Sequence, residues 1–287
     1  MSGGGAAFSV PAMTLTTSST AISTGTAEAQ GRLWSVHATN WAEFHEHYVN
    51  PAYVAVLDAL GVGHGTRLLD VGCGAGGALR LAADRGADVT GIDAAPGFVE
   101  IARRRLPGAN IVGGELQSLP FADESFDAVT GFNSFQYGAN PSAALTEARR
   151  VTRTGGRIAA LVWSPKEMCG LAPHLESLGR LMPPPPANAT GPFALCGRDA
   201  LEEFFAAANL TVAEIKDVPC TFAYPDLPTA LAALSSAGPV VRVAEHAGQQ
   251  AVEDDIRAFL AAHEQADGSY AIENPFRYAV SAPISRP

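Results

Sequence analysis

Short apolar runs alternate with amphipathic stretches along the middle of this chain. The runs predict strands at residues 67–71, 88–92, 109–112, 126–130 and 156–163, because apolar runs of this length are typical of strands that are covered on both faces. The stretches between them predict helices at residues 77–85, 97–105 and 141–151. Strands that alternate with helices form a doubly wound, mainly parallel sheet, so the pattern predicts an α/β fold.

The alternation loosens after residue 163. Helices are predicted at residues 171–182 and 198–208, on either side of a proline run at 183–186. A strand at 211–218, a helical region at 229–263 and a closing strand at 277–281 follow. Because loops at the carboxyl ends of strands line the binding crevice of such folds, we expect residues 166–196 and 222–265 to be insertions that cap the substrate.

The segment before the first strand has two parts. Residues 1–31 are rich in Gly, Ala, Ser and Thr, and we expect them to form a disordered arm. Residues 32–62 are expected to form a helical lid across the cofactor, since Trp41, Phe44 and Tyr48 share one helical face. The predicted organisation is thus one domain, 32–287, whose cofactor-binding core is residues 63–165.

Composition narrows the class of partner. A net charge of −10 argues against a nucleic-acid substrate, because binding a phosphate backbone requires clustered cations. Four scattered cysteines form neither a disulfide framework nor a metal site, and we expect no metal. No apolar run reaches the length of about 20 residues that spans a bilayer, and no signal-peptide pattern is found. Composition therefore favours a small molecule over a nucleic acid as the partner, and we expect a cytoplasmic protein, as a monomer or homodimer.

A glycine-rich turn between the first strand and the first helix carries the strongest chemical signal. Glycines 72, 74 and 76 remove the side chains that would keep a ligand away from the backbone, and Asp93 ends the next strand, where a carboxylate can accept hydrogen bonds from ribose hydroxyls. The pattern predicts a nucleotide cofactor. Gly72-x-Gly74-x-x-Gly77 also satisfies the dinucleotide fingerprint, so the glycines alone leave the cofactor open, and a turn without any ligand is the third reading.

Four ordered motifs then carry a resemblance to a known family. They are Leu69-Asp70-Val71-Gly72-Cys73-Gly74-Ala75-Gly76, then Val89 to Asp93, then Leu119-Pro120-Phe121 with Ser125 to Val129, and finally Arg150 to Arg157. Residues 68–163 thereby resemble the class I S-adenosylmethionine-dependent methyltransferases, in the branch that includes the ubiquinone and menaquinone biosynthesis enzymes. The resemblance implies a Rossmann-like seven-stranded sheet with a final antiparallel strand, S-adenosylmethionine as cofactor and S-adenosylhomocysteine as product.

The resemblance also implies roles for individual residues. It places the glycines around the amino-acid and ribose parts of the cofactor, Asp70 near its ammonium group, and Asp93 on the ribose. Ala94 leaves room for adenine, and Glu115 replaces the family's aspartate near the adenine amino group. The complete set of expected cofactor residues is Asp70, Gly72, Cys73, Gly74, Gly76, Asp93, Ala94, Glu115, Leu116 and Phe132.

The expected chemistry follows from the cofactor. A sulfonium methyl group is already electrophilic, so catalysis consists mainly of holding the acceptor in line and excluding water. The histidine pair common in the family after the fourth strand is replaced by Gln136-Tyr137. The candidate catalytic residues are His45 and Tyr137. The candidate substrate residues are Trp41, Phe135, Tyr137 and Trp163, of which Phe135 and Trp163 would form an apolar wall, with core packing as the alternative for each.

Three functions remain possible from sequence. The first is methyl transfer to a small metabolite, such as an aromatic or isoprenoid compound. The second is a cyclisation or rearrangement on the same fold, in which the cofactor acts only electrostatically. The third is nicotinamide-dependent dehydrogenation, which the later motifs do not fit. Release of S-adenosylhomocysteine on turnover distinguishes the first from the second.

Overall fold

The computed structural model describes residues 26–184 and 191–285. It begins with helices α1 (Ala27–Ser35) and α2 (Ala38–Phe44), a 3-10 turn at Glu46–Val49, and helix α3 (Asn50–Leu60). The prediction of a disordered arm is therefore wrong for residues 27–31, because α1 packs its buried Gly31 against the carbonyl of Ala94. The rest of that arm, residues 1–25, lies outside the described residues. We call residues 26–49 the lid.

The central part of the chain follows the predicted alternation closely. Its strands and helices are β1 (Arg67–Val71), α4 (Gly77–Ala83), β2 (Asp88–Asp93), α5 (Pro96–Arg105), β3 (Asn110–Gly113), β4 (Phe126–Phe132), α6 (Pro141–Val151) and β5 (Thr152–Trp163). The remaining elements are α7 (Ala172–Arg180), α8 (Arg198–Ala207), β6 (Val212–Val218), β7 (Thr221–Tyr224), α9 (Leu227–Leu234), α10 (Gly238–Ala247), α11 (Gln249–Leu260), β8 (Tyr270–Glu273) and β9 (Phe276–Ser281).

Seven strands form one sheet in the order β3-β2-β1-β4-β5-β9-β6. Strand β9 runs antiparallel to both of its neighbours, and the other six strands run parallel to one another. The predicted Rossmann-like sheet with a final antiparallel strand is confirmed. The strand order reverses between β1 and β4, which is the switch point where open α/β sheets bind ligands outside the carboxyl ends of their strands.

Two features of the flanking regions differ from the prediction. The lid helix ends at Phe44, and His45 leaves the helical conformation before the 3-10 turn. Between the strand at 211–218 and the closing strand, the sequence predicted only the helical region at 229–263, whereas β7 and β8 flank that region and form a separate two-stranded antiparallel sheet. Their strand signal is weak in the sequence, since each strand has only four residues. We call α7, α9–α11, β7 and β8 the cap.

The two faces of the sheet are covered by different parts of the chain. One face packs against the cap and α3 through a cluster that includes Tyr53, Leu161 and Phe222. The other packs against α6 and α8, with Phe135, Leu145 and Phe205 fully buried. Within the described ranges, no single helix is both long and apolar enough to cross a bilayer; α9 and α10 meet that criterion only as a pair, and they are bent by 92°.

An ion-pair network fixes the amino-terminal edge of the sheet. Asp127 accepts hydrogen bonds from the backbone and guanidinium of Arg67 and, at 2.5 Å, from Arg153 Nε. The hydrogen bonds from Arg67 are the largest cause that lowers the pKa of Asp127 below its usual range. Because Arg67 begins β1 and Arg153 lies in β5, one carboxylate joins three strands, with Asp127 itself in β4.

We predict that Asp127→Asn lowers the free energy of unfolding by about 1–3 kcal/mol near neutral pH, the usual cost of removing one partner from charged hydrogen bonds. A carboxylate with a lowered pKa stabilises the fold above its unfolded pKa and loses that contribution as pH falls toward the folded pKa. Wild-type stability should therefore decline with acidification below about pH 4 more steeply than that of the variant, as measured by urea denaturation.

The matched control for this prediction is Asp84→Asn. Asp84 pairs with Arg80 one helical turn away, and both side chains are more than half exposed. Such a pair contributes at most about 0.5 kcal/mol. Equal destabilisation by the two variants would contradict the role assigned to Asp127.

Candidate functional site

The glycine turn, residues 72–76, lies at the carboxyl end of β1 beside the switch point. Gly72, Gly74 and Gly76 have φ values of 77°, 54° and 86°, a region that residues with a side chain rarely adopt. A Cβ atom on Gly72 would lie 2.4 Å from the Cβ of Ser134. The loop that follows β4 therefore packs closely against the turn. The three glycines have no side chains that could cover the backbone of the turn.

Backbone hydrogen bonds join this turn to the neighbouring strand ends. The amides of Gly72 and Cys73 both donate to the carbonyl of Ile92, at 2.8 and 3.0 Å. The hydroxyl of Ser134 donates to the carbonyl of Val71 at 2.5 Å. The amide of Gly114 donates to the backbone carbonyl of Asp93. The loops after β1, β2, β3 and β4 therefore form one connected platform.

Asp93, the predicted ribose ligand, already organises this platform. Its two carboxylate oxygens accept hydrogen bonds from the amides of Gly74 and Ala95, each at 2.8 Å. Burial raises the pKa of Asp93, and these amides act in the opposite direction. An ionised carboxylate has about four acceptor positions, so two amide bonds leave room for two ribose hydroxyls.

Asp70 lies deeper in the same site. Its side chain is buried, and its Oδ1 accepts a hydrogen bond from Thr130 Oγ1 at 2.8 Å. Burial raises the pKa of Asp70 to about 7, and the carboxylates of Asp93 and Glu46 raise it further, while the bond from Thr130 lowers it. Its charge can therefore change near neutral pH.

Glu46 is a site residue that sequence reasoning missed. Its Oε1 accepts a hydrogen bond from the amide of Gly77 at 3.0 Å, and its Oε2 lies 2.5 Å from NH1 of Arg105. The side chain is 7% exposed, and burial raises its pKa. The only signal in the sequence was an acidic residue in an aromatic lid segment, because its partners lie 31 and 59 residues away.

These three carboxylates, Glu46, Asp70 and Asp93, form what we call the carboxylate trio. The electrostatic interactions among them show that they share one site. Within residues 26–184 and 191–285, Arg105 is the cation that pairs with the trio, through Glu46. A site with this balance of charge favours a ligand that carries positive charge and disfavours one that carries phosphates.

The lid covers the end of the platform where the adenine is predicted to bind. The amide of Ala27 donates to Glu115 Oε2 at 3.0 Å, and Thr26 Oγ1 donates to the carbonyl of Tyr137 at 2.5 Å. A Cβ on Gly31 would lie 2.2 Å from the oxygen of Ala94. The first helix therefore packs directly on Ala94 and Glu115, the two residues expected to flank the adenine.

The other three expected cofactor residues differ in orientation. The Cys73 side chain is buried in the core, where its Sγ lies 2.7 Å from the position of a Cβ on Gly91, so only its backbone faces the turn. Phe132 packs edge-on against Tyr53 at the carboxyl end of β4, with ring centroids 4.7 Å apart. Leu116 is half-buried in the loop after β3.

Neither candidate catalytic residue has the properties of a base at neutral pH. His45 is buried with its Nδ1 3.2 Å from the hydroxyl of Tyr224, and burial lowers its pKa to about 3. Burial also raises the pKa of Tyr137 to about 12. His45 is therefore neutral, and Tyr137 keeps its proton.

The predicted wall of Phe135 and Trp163 does not form. Trp163 stacks on Phe276, with centroids 5.1 Å apart, on the face that packs against the cap. Phe135 belongs to the cluster on the opposite face, near Phe204. A periodic pattern cannot reveal this, because Phe135 lies in a three-residue 3-10 helix, Phe135–Tyr137, rather than in a strand.

The lid and β7 form an aromatic layer instead. Trp41 packs against His45 at 4.3 Å and against Trp34 at 5.1 Å between centroids. Phe222 of β7 contacts both His45 and Tyr48. Among the described residues, no group of three or more His, Cys, Asp or Glu side chains is arranged to hold a metal ion.

Comparisons with known proteins agree with this geometry. Residues 69–160 match the family model described as a methyltransferase domain. The demethylmenaquinone methyltransferase of Renibacterium salmoninarum is 39% identical over 109 residues, which are 38% of this chain and 46% of that protein. The match thus spans about half the length of the curated relative.

Solved structures share the fold over a larger part of the chain. A putative methyltransferase in complex with the Haloferax volcanii Trm112 methyltransferase activator has a TM-score of 0.55 at 21% identity, covering 88% of this chain and 96% of that one. The [4+2]-cyclase SpnF has a TM-score of 0.52 at 20% identity, covering 82% and 80%. Such identities establish the fold alone.

The four ordered motifs, the antiparallel last strand and the family match lead to one assignment. The matched region, residues 69–160, is a methyltransferase domain, and the chain is similar over 109 residues to a demethylmenaquinone methyltransferase.

Proposed function

We propose that this protein binds S-adenosylmethionine at the glycine turn and transfers its methyl group to a small apolar acceptor. The observation that carries the proposal is the carboxylate trio around the turn. Glu46 occupies the amide of Gly77 at the start of α4, the position where a dinucleotide-binding fold holds its pyrophosphate. A pyrophosphate would meet three carboxylates there, whereas a sulfonium and an ammonium group would be stabilised by them.

The individual roles follow from the geometry of the platform. Asp93 has acceptor positions left for the ribose hydroxyls, and Asp70, when ionised, attracts the ammonium group. Glu115 would exchange its bond to Ala27 for the adenine amino group, or hold both. The cofactor supplies an electrophilic methyl group, and the residues of the chain bind, orient and exclude water.

The acceptor class is inferred from the aromatic layer between the lid and the cap. Trp41 and Tyr48 are half-buried and offer apolar ring surface in this layer, in which Tyr48 packs against the fully buried Phe222. A net charge of −10 disfavours polyanionic acceptors. We infer a small aromatic or isoprenoid metabolite, with Trp41 and Tyr137 as candidate contacts from the lid side and from the turn after β4.

Catalysis in this site rests on positioning. Holding two reacting groups in line can supply roughly 7–11 kcal/mol of the barrier. His45 and Tyr137 do not titrate near neutral pH, so we assign them orienting contacts rather than proton removal. The lid supplies the exclusion of water, since α1 and the Glu46 side chain close over the platform.

The central test is cofactor binding by calorimetry, with S-adenosylmethionine, S-adenosylhomocysteine and NAD as ligands. We predict that Asp93→Ala weakens binding of the first two by about 100-fold, because two charged hydrogen bonds to the ribose are lost. Asp88→Ala, an exposed position at the opposite end of the same strand, should leave the affinity unchanged. Tighter binding of NAD than of S-adenosylmethionine would overturn the proposal.

A turnover assay separates methyl transfer from the alternative chemistry. Incubation with candidate acceptors should release S-adenosylhomocysteine in proportion to product. Conversion of a substrate that needs the cofactor but releases no S-adenosylhomocysteine would instead support a cyclisation or rearrangement.

We predict that the affinity for S-adenosylmethionine rises as pH increases through about 7, the pKa of Asp70. A cationic ligand binds more tightly to the ionised carboxylate, so binding below this pH releases a proton. Calorimetry in buffers of different ionisation enthalpy measures that release. The dependence should be weaker for S-adenosylhomocysteine, which lacks the sulfonium charge, and smaller in Asp70→Asn than in wild type. An identical pH profile in wild type and Asp70→Asn would refute the role of Asp70.

We predict that Glu46→Ala releases the lid, because it removes the contact of the lid with Gly77 and with Arg105. Limited proteolysis should cut residues 26–49 faster than in wild type, and cofactor affinity should fall about tenfold, the effect of one hydrogen bond. The control is Glu43→Ala, an exposed glutamate in the same lid. If both variants are cut at the wild-type rate, Glu46 does not hold the lid.

A further inference from the structure

A second polar cluster lies in the cap, apart from the glycine turn. It joins α7, from the insertion that follows β5, to α11, from the insertion between β6 and β9. Its members are His174 and Ser177 on α7 and Asp255 on α11. The motifs discussed above do not include any of them.

The cluster holds one imidazole in a fixed orientation. His174 Nδ1 lies 3.0 Å from Asp255 Oδ2, and the hydroxyl of Ser177 donates to the other oxygen of the same carboxylate. The ring of His174 stacks on Phe259 at 5.2 Å between centroids and 26° between planes. A carboxylate on Nδ1 fixes the tautomer in which Nδ1 carries the proton and Nε2 has a free lone pair.

The Nε2 atom of His174 is an acceptor without a partner. The His174 side chain is 2% exposed, and within the described part of the chain no donor lies within hydrogen-bond distance of Nε2. A buried polar atom that makes no hydrogen bond costs free energy. Phenylalanine or leucine at this position would avoid that cost, so packing alone does not account for a histidine held by a carboxylate.

We propose that His174 Nε2 is a binding site for a hydroxyl or N–H group of an apolar ligand, with Asp255 and Ser177 as the residues that orient the ring. The ligand class follows from the surroundings, because the cluster adjoins apolar side chains of α7 and α11 that include Leu178 and Ile256. A weakly acidic hydroxyl on an aromatic body, as in a phenol, matches both the acceptor nitrogen and the apolar walls.

The position of the cluster links it to the acceptor. Strand β5 ends at Trp163 on the carboxyl edge of the sheet, and the antiparallel β9 begins at Phe276 beside it, so both insertions emerge on the edge that carries the glycine turn. Leu171, Ile256 and Phe222 belong to one continuous apolar cluster with the lid residue Val49. The identification of the ligand as the methyl acceptor rests on the proposed function, whereas the site itself does not.

The test uses phenol as the probe and anisole, which has no hydroxyl proton, as its matched control. Both are titrated into the full-length protein with ¹⁵N-labelled histidine, and the Nε2 resonance of His174 is followed by NMR. Phenol should shift this resonance to saturation, and anisole should not. No shift with phenol, or an equal shift with both compounds, would overturn the proposal. Because this comparison uses the wild-type protein, it needs no variant to fold.

Variants separate ligand binding from a structural role. His174→Asn keeps a side-chain N–H in the position of Nδ1 for Asp255 but removes Nε2, so we expect near wild-type thermal stability and phenol affinity reduced about tenfold, the effect of one hydrogen bond. His263→Asn is the control, because His263 packs on the same Phe259 at 4.6 Å. Unchanged phenol affinity in His174→Asn would refute the site.

Calorimetry with S-adenosylmethionine on the same samples keeps the two proposals apart. Cofactor binding in His174→Asn should equal that of wild type. Phenol binding without any S-adenosylmethionine binding would uphold the cap site and overturn the proposed function, and the reverse result would do the opposite.

Discussion

The hydrogen bond from the amide of Gly74 to the carboxylate of Asp93 is the interaction on which the rest of the site depends. It joins the turn after β1 to the end of β2 and holds the glycines in conformations that other residues avoid. The same carboxylate also accepts the amide of Ala95, just before α5. One side chain therefore fixes both the glycine turn after β1 and the loop after β2, the two loops to which we assign cofactor binding.

The electrostatic character of the site follows from what surrounds this turn. A helix amino terminus ordinarily attracts phosphate, but here the first amide of α4 is occupied by Glu46, and Asp70 lies behind the turn. Arg105, which pairs with Glu46 of the trio, donates hydrogen bonds to the Glu46 carboxylate and to the carbonyls of Ala42 and Ala75. This arrangement of charge is the basis on which we propose a cationic cofactor rather than a dinucleotide.

The lid and the cap cover the carboxyl edge of the sheet in different ways. The lid contributes a carboxylate to the turn and the helix that covers Glu115, and the cap contributes β7 and the His174 cluster. The lid precedes the sheet in the chain and packs onto its carboxyl-end loops, whereas the cap is inserted at that edge, where loops can vary without disturbing the strand order. The charged network at the opposite edge, around Asp127, serves the sheet alone.

The sequence by itself determined the sheet, the glycine turn and the carboxylate of Asp93 at the end of β2. Strand β1 and helix α6 are predicted to the residue, and the strands and helices between them differ by one or two residues at their ends, because parallel strands buried on both faces leave a continuous apolar signal and glycines mark the turn. These are local properties.

Only the tertiary structure decided which side chains reach the turn and which face each aromatic residue covers. Glu46 meets Gly77 and Arg105, and His174 meets Asp255, across separations of 31 to 81 residues, and Phe135 faces the core from a short 3-10 helix. Such contacts depend on how helices pack over a sheet, and hydrophobic periodicity reports only whether a position is buried, not what lies against it.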